Sequence, residues 1–315
     1  MAFLRLLEGI RFPALNWVMQ LITYCGEELV FMVAALVIFW CINKREGYYI
    51  LSVGFIGTIL SQFLKLLCRI PRPWVADPDF TIVESARAGA TGYSFPSGHT
   101  QNAVGTFGGV ARWTRHKGLR WAMIVLAVLV SFSRMYLGVH TPLDVGVGFV
   151  IAVVLVLALY PVLRKSEKDP KVMYVFLGVM LLISVGYVLF VNLYHFPADL
   201  DPENYAEGVK NSYSLLGALL GLALSYHLDE TRFHFDESAP LLGQILKVVL
   251  GLILIVGIRA GLKPLLALIS DGLYWNAVRY FCMVAFAGIV WPRTFPWFQK
   301  IGRKQGSIIN VGVRR

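Results

Sequence analysis

Three short stretches of the chain carry side chains able to act together on an anion. The first is Lys65-Leu-Leu-Cys-Arg-Ile-Pro-Arg72-Pro73. Arg offers a planar fork that matches phosphate oxygens, and Lys offers a mobile point charge. The alternative is that both snorkel to lipid headgroups. The second is Ser94-Phe-Pro96-Ser97-Gly98-His99. A proline in a first turn starts a helix, so the N–H groups of Ser97, Gly98 and His99 point at an incoming anion. His99 could protonate a departing oxygen. Ordinary helix capping is the competing reading. The third runs from Ser133 and Arg134 to His140 and Asp144. A carboxylate four residues beyond a histidine can accept from one ring nitrogen, fixing the tautomer while the other nitrogen attacks. A purely structural His–Asp contact is the alternative there.

The elements that must position these groups are membrane spans. Of the 315 residues, 57% are hydrophobic and only 15% charged, and the apolar residues form long blocks, as in membrane proteins. The pattern predicts an all-α, polytopic transmembrane bundle of about nine spans: 28–43, 47–67, 98–114, 120–138, 143–163, 172–192, 210–227, 243–262 and 274–292. The third is rich in small and polar residues, which suits a helix facing protein rather than lipid. Before the spans, Leu4, Leu6, Leu7 and Ile10 alternate with Arg5, Glu8 and Arg11, as in an interfacial amphipathic helix; the alternative is a poorly hydrophobic first span. The start lacks a basic leader followed by an unbroken apolar core, so no cleavable signal peptide is expected.

The net charge of +10 gathers between apolar blocks rather than in an aromatic-basic module, so no nucleic-acid partner is expected. Lys44 and Arg45, Arg115 to Arg120, Arg164 to Lys171, and Arg293 to Arg315 alternate onto one side, which is then cytoplasmic, with the C-terminus. The loop 193–208, with Asp199, Asp201, Glu203 and Glu207, falls outside. Lys65, Arg69, Arg72 and Arg87 break the rule by lying outside, where anion binding gives them a reason. Cys25, Cys41, Cys68 and Cys282 have no paired spacing and are expected to pack in the core. Asp271, Arg259 and Lys263 could shape the pocket or simply anchor helix ends.

The three stretches together match the signature of the type 2 phosphatidic acid phosphatase family, in order and spacing. That signature is a lysine, six residues and Arg-Pro; Pro-Ser-Gly-His; and Ser-Arg, five residues, a histidine, three residues and an aspartate. The chain resembles that family over roughly its first half, and its layout is similar to those of glucose-6-phosphatase and sphingosine-1-phosphate phosphatase. The resemblance implies that His140 attacks phosphorus and becomes phosphorylated, that Asp144 supports it, and that His99 protonates the leaving group. It also implies that Lys65, Arg72, Ser97, Gly98 and Arg134 hold the phosphate, with no metal and no cofactor.

The expected function is a metal-independent membrane phosphatase acting on a monoester or diphosphate of a lipid or amphiphile. Its site is extracytoplasmic. Residues 1–165 form the core, and 166–315 add C-terminal spans. Two alternatives remain: a phosphotransferase using the same phospho-histidine, and a non-catalytic lipid-binding membrane protein. The second would be expected to have lost one of these groups.

Overall fold

The computed structural model describes residues 1–198 and 200–301. Asp199, Arg303, Lys304, Arg314 and Arg315, used above for orientation, lie outside the described residues. Regular structure among the described residues is helical, with no strand.

The helices are α1 (Ala2–Gly9), α2 (Pro13–Tyr24), α3 (Glu28–Val37), α4 (Lys44–Cys68), α5 (Pro73–Ala76), α6 (Gly98–Trp113) and α7 (Lys117–Tyr136). They continue with α8 (Pro142–Ser166), α9 (Pro170–Leu193), α10 (Pro202–Leu228), α11 (Leu241–Ala267) and α12 (Trp275–Ala285). α1 buries Leu4 and Leu7. Its Arg5 donates to Asp77 at 2.7 Å, and its Glu8 accepts from the Thr81 N–H at 2.9 Å. The amphipathic segment is thus strapped to the loop that follows α5.

The protein is an integral membrane protein. Five helical stretches are long and apolar enough to cross a bilayer: Lys44–Ala76, Lys117–Tyr136, Pro142–Ser166, Pro170–Leu193 and Leu241–Ala267. Pro13–Tyr24 and Glu28–Ile42, bent by 49°, make up to six if they count as one broken span. The nine expected crossings exceed that number because α6, α10 and α12 fall short on length or hydropathy. α6 has 16 residues and buries Thr100, Gln101 and Thr106 inside the bundle. α10 lies so close to α12 that a Cβ on Gly217 would come within 1.9 Å of the Ala277 carbonyl oxygen. Small residues and close backbone approach are how helices enclosed by protein associate. α11 is the opposite case, with only 17% of its span buried.

At one end of the bundle the C-termini of α4 and α7 meet the N-termini of α6 and α8. α4 ends at Arg69 in the left-handed conformation, with φ 51°. α7 ends just before Gly138, where φ 84° suits a residue without Cβ. α8 begins with Pro142 and a reciprocal cap: Thr141 accepts from the Asp144 N–H and Asp144 from the Thr141 N–H. The Ser97 N–H donates to the Asp144 carbonyl at 3.0 Å, joining the start of α6 to the first turn of α8. This approach needs Gly148, whose added Cβ would lie 2.7 Å from the Ser97 carbonyl oxygen. The opposite end is clamped by Arg164 on the buried Glu46 at 2.7 Å and by Lys44 on Asp229 at 2.7 Å.

All four cysteines are free, and Cys68 is exposed. The core role expected for Cys68 therefore does not hold: it is the last residue of α4, at the surface where that helix ends.

Candidate active site

The structure gathers most of the predicted residues around one polar cavity of about 170 Å³. Lys65, Arg72, Gly98, His99 and His140 line it. Ser97 and Asp144 stand directly behind, 0% and 1% exposed. A larger crevice of about 410 Å³ between α6, α7 and α8 is lined mainly by apolar side chains and contains none of these groups.

Arg72 is the most heavily bonded residue of the site. It donates to the carbonyls of Thr91 at 2.6 Å, Gly92 at 2.9 Å and Val139 at 3.0 Å. Its Nη1 also lies 2.8 Å from His140 Nε2. A guanidinium can only donate, so Nε2 presents its lone pair to Arg72. The proton then belongs on Nδ1, which faces Ser94 Oγ at 3.4 Å and Asp144 Oδ2 at 3.6 Å.

The 3.6 Å separation is too long for a hydrogen bond, so the direct His–Asp contact expected from spacing is not made. Asp144 Oδ2 is instead taken by Ser94 Oγ at 2.6 Å and the Thr141 N–H at 2.7 Å. Ser94 is thus interposed between the His140 ring and the carboxylate. Its position is set by its own N–H, which donates to the Ile70 carbonyl at 2.8 Å. His140 is 2% exposed. Burial, reinforced by the Arg72, Arg134 and Lys65 charges, holds its ring well below the usual histidine pKa, so the imidazole is neutral.

Ser97 Oγ accepts from the Thr100 hydroxyl at 3.0 Å and caps α6. Of the N–H groups expected to face an anion, that of Ser97 is taken by the Asp144 carbonyl, while Gly98 lines the cavity at a point where an added Cβ would meet nothing within 4 Å. Arg134 is 1% exposed and held by Thr23 Oγ1 at 2.8 Å and the Gly89 carbonyl at 3.4 Å. It does not line the cavity, but its Nε has no partner. Arg87 pairs with Glu84 at 2.8 Å on the surface. Neither Arg87 nor Asp271, Arg259 or Lys263 lines the cavity. Sequence reasoning missed Ser94, Thr23 and the carbonyls of 91 and 92. It also missed two carboxylates on the cavity wall, Glu28 and Glu207. Among the described residues no group of three or more His, Cys, Asp or Glu is placed to hold a metal ion.

Fold and site define a class: helical membrane proteins with a cationic, histidine-bearing polar cavity where four helix ends meet. The chain belongs to the PAP2 superfamily. Its family model matches residues 45–168, and that of the PAP2 superfamily phosphatase transmembrane extension matches 213–304. Phosphatidylglycerophosphatase B of Bacillus subtilis is 32% identical over 163 residues, 46% of this chain and 74% of that protein. Undecaprenyl-diphosphatase BcrC of Bacillus subtilis is 28% identical over 36% of this chain and 55% of that one. A probable sphingosine-1-phosphate phosphatase of Dictyostelium discoideum is 28% identical over 76% of this chain and 58% of that protein. The chain therefore spans little more than half the length of the last two.

Proposed function

We propose that the protein is a membrane phosphatase that removes phosphate from a lipid or other amphiphile through a phospho-histidine. The observation that carries this reading is the neutral His140 ring, with its Nε2 lone pair under Arg72 and facing the cavity shared with Lys65 and His99. In the first step a bound phosphoryl oxygen takes over the Arg72 N–H, and Nε2 attacks phosphorus. The N–P bond forms as the ester P–O bond breaks, and His99 gives its proton to the leaving oxygen. The ring gains positive charge, balanced through Ser94 and Asp144. In the second step His99 accepts a proton from water, which displaces the imidazole and releases inorganic phosphate. Lys65, Arg72, Gly98 and the capped start of α6 hold the phosphoryl oxygens, and such preorganised charge is the main resource in phosphoryl transfer. Ser97 acts through that cap, and Arg134 adds its charge from behind the cavity.

The relatives support a lipid phosphate as substrate, since those named above are phosphatases of undecaprenyl diphosphate, phosphatidylglycerophosphate and sphingosine 1-phosphate. The basic residues at the opposite end support an extracytoplasmic site and a cytoplasmic C-terminus. The same reading has α6, α10 and α12 with its π-helical continuation Phe286–Val290 cross within the bundle, giving about nine spans, with a core at 1–165 and further spans from 166 onward.

The test is phosphate release by protein in detergent, with EDTA present, beside His140→Ala. Release that survives EDTA, vanishes in the variant and passes through an acid-labile phosphoprotein is the expected result. Equal inertness of both proteins across lipid and soluble phosphates would sink hydrolysis. Transfer of phosphate to an added alcohol in preference to water would mark a phosphotransferase.

A further inference from the structure

The phosphatase reading leaves the larger crevice, of about 410 Å³, without a role. Its lining runs from Val104 to Arg112 on α6, from Arg120 to Val128 on α7 and from Phe149 to Leu157 on α8. His99 and Asp144 stand in the first turns of α6 and α8, and Arg134 in the last turn of α7. The crevice therefore lies toward the end of the bundle away from the catalytic cavity, between the helices that carry those three residues. Its volume is in the range of small-ligand pockets. The wall is mostly hydrocarbon, and Val128 and Leu157 are exposed along it. On the lipid-facing side of a membrane bundle, such a crevice takes up a hydrocarbon chain.

The charge at one end of the crevice is one-sided. Arg112 and Arg120 line it, and no acidic residue does. Arg112 lies 4.4 Å over the Tyr160 ring. Arg120 donates from Nε to the Ala111 carbonyl at 3.2 Å and from Nη2 to the Thr114 carbonyl at 2.8 Å. Both guanidiniums are thus held by uncharged partners. Neither has a carboxylate within 4 Å among the described residues. The nearby acids Glu46 and Glu167 are already taken by Arg164, at 2.7 and 2.5 Å. The sequence deepens the imbalance: Arg112, Arg115, Lys117 and Arg120 fall within nine residues, and no Asp or Glu occurs from Ser85 to Leu143. Snorkelling accounts for cations at a membrane edge, but not for two of them fixed over one apolar crevice. A free anion would meet the charge and leave the crevice unused. A zwitterionic lipid would fill the crevice and leave the positive charge unbalanced.

We propose that this crevice binds an anionic phospholipid of the surrounding membrane, with its headgroup on Arg112 and Arg120 and one acyl chain laid along Val104, Ile124 and Val153. Basic pockets between membrane helices take such headgroups. The bound chain fills the space between α6, α7 and α8 and so braces the helices on which the catalytic cavity is built. This lipid is not a substrate: the crevice shares no residue with the catalytic cavity. The proposal concerns binding alone and stands or falls apart from hydrolysis.

The experiment follows the melting temperature of the full chain in detergent, stripped of lipid, as dioleoyl phosphatidylglycerol or dioleoyl phosphatidylcholine is added. The two have the same chains and differ in net charge. A cation beside an anionic headgroup contributes about fivefold in affinity, so two arginines predict half-maximal stabilisation at a roughly 25-fold lower concentration of the anionic lipid. Arg112 makes no hydrogen bond to the backbone, so Arg112→Gln is the variant of choice. It should raise the concentration of phosphatidylglycerol needed by about fivefold and leave that of phosphatidylcholine unchanged. Arg72→Gln, in the catalytic cavity, should leave the preference as in wild type. Equal stabilisation by the two lipids overturns the proposal, and that comparison on wild type needs no variant to fold. An unchanged response in Arg112→Gln also overturns it. A preference lost in Arg72→Gln instead would place the lipid in the catalytic cavity, with the same consequence. Stabilisation by glycerol 3-phosphate that equals that by phosphatidylglycerol and depends on Arg112 would make this a free-anion site and refute a lipid one.

Discussion

Gly148→Ala tests whether the contact between α6 and α8 sets the site. The added Cβ would sit 2.7 Å from the Ser97 carbonyl oxygen and 3.5 Å from its carbonyl carbon and nitrogen. Ordinary contact begins near 3.4 Å, so the backbone at Ser97 must retreat by about 0.7 Å. It cannot do so by turning a side chain. That same carbonyl accepts the Gln101 N–H, and the Ser97 N–H is bonded to Asp144, so the whole first turn of α6 moves away from α8 and takes Gly98 and His99 with it. Overpacking of this kind costs about 1–3 kcal/mol, partly offset by the better helix propensity of alanine, roughly 0.5–1 kcal/mol. The fold should survive. Catalysis should not, because a misplacement on the order of 1 Å can cost about 100-fold. Gly146→Ala is the internal control, with nothing within 4 Å of its added Cβ. Phosphate release by the two variants, alongside their elution and melting behaviour, reads the difference. Expected is a fall of about 100-fold for Gly148→Ala and wild-type rates for Gly146→Ala. A well-folded Gly148→Ala with activity within twofold of wild type would refute the reasoning.

Arg72→Lys keeps the charge but replaces a fork bonded to three carbonyls and His140 by a single ammonium, so kcat/KM should fall roughly 100-fold; retention of wild-type kcat/KM would show the fork to be dispensable. Ser94→Ala removes the hydroxyl between His140 and Asp144, and steady-state kinetics should show about a tenfold lower kcat with little change in KM. For pH, the sign follows from burial. The His140 pKa is depressed, so the nucleophile stays neutral as pH falls through 6.5 and becomes protonated only well below it. The acid limb of kcat/KM should lie under pH 6.5, and a limb centred at or above that value would contradict a buried neutral nucleophile.

The helical bundle and the gathering of Lys65, Arg72, Gly98, His99 and His140 at one candidate site were legible because their signals are local in sequence. Pro96 to His99 and Thr141 to Asp144 announce two helix starts, and Arg72 and His140 sit at fixed offsets from them. The partnership between Ser94 and Asp144 was not legible. It depends on an irregular segment returning to pair Ser94 with Ile70, which no periodicity encodes. For the same reason Arg134 reads as a phosphate ligand in sequence yet bonds Thr23 on α2, more than a hundred residues earlier. Hydropathy sees α8 and α11 clearly because lipid surrounds much of them. It does not mark α6 and α10, whose Thr100, Gln101, Ser212 and Ser225 are buried among other helices.

The backbone bond from Ser97 to Asp144 makes the turns that carry His99 and His140 one mechanical part. A bilayer that thins, thickens or bends tilts the helices it touches, at a modest cost per ångström of mismatch. His99 and His140 are carried on elements locked to each other at their starts, so such tilting moves them as a pair. The exposed helix α11 can follow the thickness of whatever membrane surrounds it, while the spacing that chemistry depends on stays insulated from the mechanics of the lipid.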